Sequence, residues 1–251
     1  MRRQVQKTCG RALAATVWVA VLCWVIGGLC AAAAGEVSDR YPQAASVRQT
    51  YNNRPFEYRI HSRVEKSGVV IYHLTYPSPV VSPVEQNNTI PADYYVPRAV
   101  ERGGHRRPAV IVLHILHGNF ELERMCCTML ASHGIPAILP KLPYYAERGL
   151  PEGRRALIAN PALFASALRQ GVEDVRRTVD LLASRPEVNP HRIGATGISM
   201  GGILAATVAG QEPRLHRAML ILAGGDVLGI IAVSYTHLRA HETPEHLVCR
   251  L

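Results

Sequence analysis

The sequence predicts an α/β domain: a mainly parallel sheet with helices on both faces. Three observations carry this reading. Between Ala109 and Ala223, short strand-like apolar runs alternate with helical segments. One of those runs, Ala109-Val110-Ile111-Val112-Leu113-His114, is unbroken, as in a strand covered on both faces. Between residues 165 and 184, Leu168, Val172, Val175, Val179 and Leu182 recur on one face of a helix.

The elements follow in order. Gly35 to Asn53 is polar and aperiodic, and reads as a linker or N-terminal extension. Glu57–His61 and Gly68–Tyr76 read as strands, the second stopped by Pro77, Pro79 and Pro83, and Ala92–Val96 as a third. Strands before any helix suit an antiparallel opening to a mixed sheet. After the Arg- and Gly-rich turn at 101–107 come the Ala109–His114 strand, a helix over Glu121–His133 and a strand over Ile135–Leu139. Lys141 to Ala162 is rich in Pro, Gly and Arg and predicts a loop or small cap. The helix over Ala165–Ser184, a short strand at His191–Thr196, a helix over Met200–Ala209 and a strand at Ala218–Ala223 complete the alternation, and there is no internal repeat.

Neither end belongs to the domain. Arg2, Arg3, Lys7 and Arg11 precede an apolar run from Leu13 to Leu29 that passes into Ala31–Ala34, the pattern of a secretory leader spanning residues 1–34. Export to the periplasm or the exterior is the corresponding expectation; the alternative is an uncleaved anchor through residues 13–34, and membrane contact would follow only from that. At the other end, residues 232–251 resemble a translated sequencing-library adapter, so His237, His241, Glu242 and His246 are given no role. The domain is therefore expected over 54–231, incomplete at its C-terminus.

Without the leader, with its four basic residues, and the tail, with two basic and two acidic ones, the formal charge falls from +9 to +5. That charge is scattered over helices and loops, and no nucleic-acid motif accompanies it. Of the six cysteines only the neighbours Cys126 and Cys127 lie in the body, which excludes a disulfide framework. The absence of CxxC and HExxH patterns in the body leaves no zinc reading, and no cofactor is expected. Composition does not determine an oligomeric state.

The chemistry lies in Gly197-Ile198-Ser199-Met200-Gly201, a G-x-S-x-G pattern fed by a strand and followed by the small-residue helix start Gly201-Gly202-Ile203-Leu204-Ala205-Ala206. A tight strand-to-helix turn lifts a serine hydroxyl above the sheet, and only small neighbours let the backbone bend that sharply. Together with Val110–Leu113 leading into His114-Ile115-Leu116-His117-Gly118, and with Ala131 to Pro143, this stretch resembles the α/β-hydrolase family, in particular its dienelactone-hydrolase-like and esterase-like members. The resemblance implies an α/β-hydrolase fold and cleavage of carboxylic esters or lactones through an acyl-enzyme. Dienelactone-hydrolase-like members carry a cysteine nucleophile; here Ser199 holds the position, which favours ordinary carboxylic esters.

By position, the family's oxyanion hole would fall on the Met200 amide and on that of Ile115 or Leu116. His114 and His117 are candidates for shaping that loop. Tyr144 and Tyr145 are candidates for lining the substrate pocket, with packing beneath the cap as the alternative. In this family the acid and the histidine follow the serine, so the general base is expected beyond Ile231, and the 251-residue chain alone is expected to be inactive. Asp226 follows a strand end and is a candidate acid, or simply a helix cap. The competing functions are an acyltransferase and a non-catalytic binding protein on the same fold.

Overall fold

The computed structural model describes residues 41–101, 105–116, 119–150 and 154–223. The leader, His117, Asp226 and the adapter-like segment lie outside them.

Among the described residues, eight strands form one sheet: β1 (Ala44–Val47), β2 (Phe56–Lys66), β3 (Val69–Pro77), β4 (Thr89–Pro97), β5 (Arg107–Leu113), β6 (Ala137–Pro140), β7 (Val188–Ile198) and β8 (Leu215–Ile221). Their order across the sheet is β1-β2-β3-β4-β6-β5-β7-β8. The first four strands pair antiparallel, as does β4 with β6, and β6, β5, β7 and β8 then run parallel. The antiparallel opening to a mixed sheet is thus as the sequence predicts. One strand differs from expectation. Ala44–Val47, in the stretch read as a linker, is the edge strand β1, and Tyr41 and Val47 are buried beside it. Four residues are too few to show a strand's periodicity against the polar composition around them.

The helices are α1 (Arg98–Glu101), α2 (Glu121–Ser132), α3 (Arg154–Ala159), α4 (Pro161–Ser184) and α5 (Met200–Ala209). Asn160 caps α4 by accepting the Leu163 N–H at 3.0 Å, with Pro161 preset for the first turn. Consecutive strand residues point to opposite faces, which places the helices in two layers. In β4, Asp93 faces Arg124 of α2, whereas Tyr94 donates its hydroxyl to Glu187, just beyond α4. Tyr76 of β3 shares a hydrogen bond with Thr178 of α4 on the same side as Tyr94.

The core on the α4 side is unusually rich in tyrosine. Tyr41, Tyr58 and Tyr94 surround the Arg185 guanidinium, whose carbon lies 4.3 Å from the Tyr41 ring centre. Arg185 pairs with Glu187 at 3.1 Å, and both are buried. The pair closes the turn from α4 into β7, the strand that leads to Ser199.

Candidate active site

Strand β7 delivers Ser199 at φ 53°, ψ −117°, and α5 begins at the next residue. A serine in the left-handed half of backbone space is strained by about 1–3 kcal/mol, and such strain persists only where the surroundings impose it. Here they do. A Cβ on Gly197 would lie 2.3 Å from the Gly201 backbone, and one on Gly201 2.3 Å from the Leu113 carbonyl oxygen. No side chain fits at either position, so the two glycines flanking the serine are what lets the chain fold back on itself. The Ser199 N–H donates to the Ile221 carbonyl at 2.9 Å, anchoring the turn to the end of β8, and the Ser199 carbonyl accepts the first helical bond, from Ile203, at 3.0 Å. The hydroxyl does not cap the helix, and the residue is exposed. The serine is therefore displayed rather than used in packing.

Met200 is the first residue of α5, and first-turn amides have no partner inside their own helix. Its N–H is thus available where the helix dipole is most positive. Its side chain is buried, with the Tyr145 hydroxyl 3.7 Å from its sulfur. The space beside it, bounded by Tyr145, Leu157, Phe164, Leu168 and Leu204, is about 10 Å³, no more than one water fills. Tight packing there fixes the start of the helix and, with it, the Met200 amide.

The loop after β5 lies alongside. Leu113 is paired with Gly197 across the parallel β5–β7 ladder, so residues 114–116 emerge beside the serine turn. Of the two candidates for a second oxyanion donor, Ile115 is engaged elsewhere: its N–H donates to Glu123 Oε1 at 2.9 Å. That corrects its assignment as an oxyanion donor. His114 is likewise not a pocket residue. It is completely buried, Nε2 accepts the Leu142 N–H at 3.1 Å, and Nδ1 lies 2.9 Å from the Ile115 carbonyl. A backbone N–H can only donate, so the ring proton sits on Nδ1 and is given to that carbonyl. Burial, opposed by the Ile115 bond and reinforced by the charges of Lys141 and Arg148, lowers its pKa to about 4, so it is neutral at pH 7. The Phe120 and Tyr145 rings meet it edge-on at 4.8 and 4.5 Å.

Tyr144 and Tyr145 are both buried. Tyr145 is brought to Met200 and His114, while Tyr144 sits at φ 68° with its N–H donated to Asn87 Oδ1 at 3.1 Å. Behind them Arg148 is fully buried, donating to the Lys141 carbonyl at 2.8 Å and the Asn87 carbonyl at 2.6 Å and pairing with Asp174 of α4 at 2.8 Å. The segment read as a loop or cap is therefore a braced wall of the site. Neither Glu123 nor the Arg148–Asp174 pair is apparent in the sequence. A glutamate in the first turn of a helix ordinarily serves only the helix dipole, and an arginine in a polar loop ordinarily lies in water.

The sequence profile of the dienelactone hydrolase family matches residues 94–224, from β4 through the serine turn and beyond β8. This chain belongs to the dienelactone hydrolase family. That range includes the β5–β7 pairing of Leu113 with Gly197, which brings the loop after β5 beside the serine turn. An uncharacterized protein of Pseudomonas aeruginosa is 26% identical over 152 residues, covering 59% of this chain and 36% of that protein. The chain thus spans about a third of the length of this curated relative. The acetyl xylan esterase of Paenibacillus sp. R4 superposes with a TM-score of 0.52 at 24% identity, covering 78% of this chain and 65% of that one. A cold-adapted esterase from an Arctic intertidal metagenomic library does so with a TM-score of 0.50 at 21% identity, covering 64% of each chain. The fold is that of the α/β-hydrolases.

Proposed function

We propose that the complete protein is an exported serine hydrolase of carboxylic esters, working through an acyl-enzyme on Ser199. The single observation that carries this is the backbone of Ser199, held at φ 53° by glycines that admit no side chain and displayed at the head of α5. In the proposed reaction the Ser199 oxygen attacks the ester carbonyl carbon while its proton passes to a histidine. The carbonyl oxygen becomes an oxyanion facing the Met200 amide. Collapse of that intermediate expels the alcohol, which takes the proton from the histidine. Water, deprotonated by the same histidine, then attacks the acyl-serine; as the C–O bond to serine breaks, the histidine returns that proton to the Ser199 oxygen, and the carboxylic acid is released. On this reading the acid and the histidine follow the serine, in sequence after β8.

The test uses the gene product read from source DNA through the codons after Ile231. That reading is expected to encode an Asp or Glu at a strand end and then a histidine-bearing loop. The protein is expected to hydrolyse p-nitrophenyl acetate, with kcat falling by at least about 10⁴-fold in Ser199→Ala. Turnover that survives this substitution contradicts the proposal.

A further inference from the structure

Among the described residues no three of His, Cys, Asp and Glu gather to hold a metal, so a hard or borderline cation finds no site there. The sulfur donors are placed differently. Helix α2 turns Glu123, Cys127 and Ala131 inward, while on its far side Met125 is 64% and Met129 54% exposed, with the Cys126 thiol half-buried beside them. An amphipathic helix ordinarily gives its outer face to charged and polar residues. Here that face carries a thiol and two thioethers, and packing among the described residues does not account for them.

Helical spacing brings these sulfurs together. Met129 is four residues from Met125 and three from Cys126, positions whose Cβ atoms lie about 5–6 Å apart on a helix surface. Long helical side chains lean toward the N-terminus, so Met129 covers the turn that carries Met125 and Cys126. His133, exposed at the end of α2, continues the row one turn later. Its Nδ1 lies 2.8 Å from the Met129 carbonyl oxygen, which can only accept, so the neutral ring carries its proton on Nδ1 and its lone pair on Nε2. A histidine that binds a metal is ordinarily fixed in this way, by giving its other N–H to a carbonyl or a carboxylate.

We propose that this face of α2 binds a soft monovalent cation, Cu(I), through the Cys126 thiolate and the Met125 and Met129 thioethers, with His133 Nε2 at its C-terminal end. Thioethers beside a thiolate suit Cu(I), and a set without carboxylates has nothing to offer a hard ion. On binding, the Cys126 S–H bond breaks, the S–Cu bond forms and the proton goes to solvent, with copper and sulfur keeping their oxidation states. Cys127, buried on the inner face, takes no part. The site requires neither Ser199 nor the serine hydrolase reading.

The experiment titrates the complete gene product with Cu(I) under anaerobic conditions in competition with bicinchoninate. Wild type is expected to withdraw one equivalent of copper from the chelator. Cys126→Ser is expected to weaken that binding by at least about 100-fold, and Met125→Leu with Met129→Leu, which keeps the face apolar, by at least about 10-fold. A second arm adds Ag(I), a cation of the same chemistry without redox activity, to wild-type protein carrying isotopically methyl-labelled methionine. One equivalent is expected to shift the methyl signals of Met125 and Met129, assigned from the single Leu variants, and to leave that of buried Met200 unmoved. This arm reads wild type, so it decides the matter even if Cys126→Ser fails to fold. Copper left wholly on the chelator, or binding unchanged in both sets of variants, overturns the proposal. Unmoved Met125 and Met129 signals overturn it as well, and are what a face serving only as a contact for another segment or another copy would give.

Discussion

Ser199 and His114 show how differently two residues can be read from sequence. The serine turn is legible because its requirement is local: the glycines at 197 and 201 are needed by the backbone within a few residues of the serine, so the requirement is written next to it. His114 is not legible in that way. A histidine after a buried strand looks equally suited to chemistry or to packing, and its role is decided by Leu142, far along the chain. Its pKa of about 4 gives a testable consequence. The unfolded chain protonates this histidine below about pH 6.5 while the folded protein does not until about pH 4. The unfolded state therefore binds more protons across that window, and stability falls as pH drops through it. The contribution, fully present above pH 6.5, is about 3 kcal/mol. Urea unfolding of wild type and His114→Asn from pH 7 to 4 is expected to show the variant missing a pH-dependent loss of this size. Parallel pH profiles would contradict the assignment.

At the level of elements, the strands and the long helices were predictable because each buries a continuous face of its own. What the sequence conceals are the braces between elements. The segment after β6 shows only Pro, Gly and Arg, yet buried Arg148 ties it to α4 through Asp174 and to the turn at Asn87. A buried ion pair weakens the protein sharply when one partner is removed, because the other charge is left uncompensated. Arg148→Met alone is expected to destabilise the fold by about 3–5 kcal/mol in urea unfolding, and the double variant Arg148→Met/Asp174→Leu to regain most of that. Strict additivity of the two single changes would show that the pair is not coupled. β1 was missed for a related reason: its anchoring comes from Tyr41 in the tyrosine cage and from Tyr51, whose N–H donates to Asp180 of α4 at 3.0 Å, and neither contact has a local signature.

At the scale of the molecule, the site sits where the parallel strands end, and the order of the sheet decides which loops meet there. β5 and β7 are neighbours, so the loop at 114–116 and the serine turn share an edge although more than eighty residues separate them. Among the described residues the other edge of the parallel set is β8, which exposes Met219 by 57% and Leu220 by 46% although they point to opposite faces. A parallel strand is ordinarily covered on both, so this edge favours self-association. Sedimentation velocity on the 251-residue chain is expected to show concentration-dependent association that Met219→Lys with Leu220→Lys reduces. A monomer unaffected by the double change would contradict that view.

On the proposed function, the strained turn makes Ser199 a nucleophile. The most direct measurement treats the complete gene product with a fluorophosphonate and follows the modification by peptide mass spectrometry. A single phosphonylated site is expected, on the peptide carrying Ser199, with no labelling in Ser199→Ala. Labelling at another residue, or none in the wild-type protein, would contradict it.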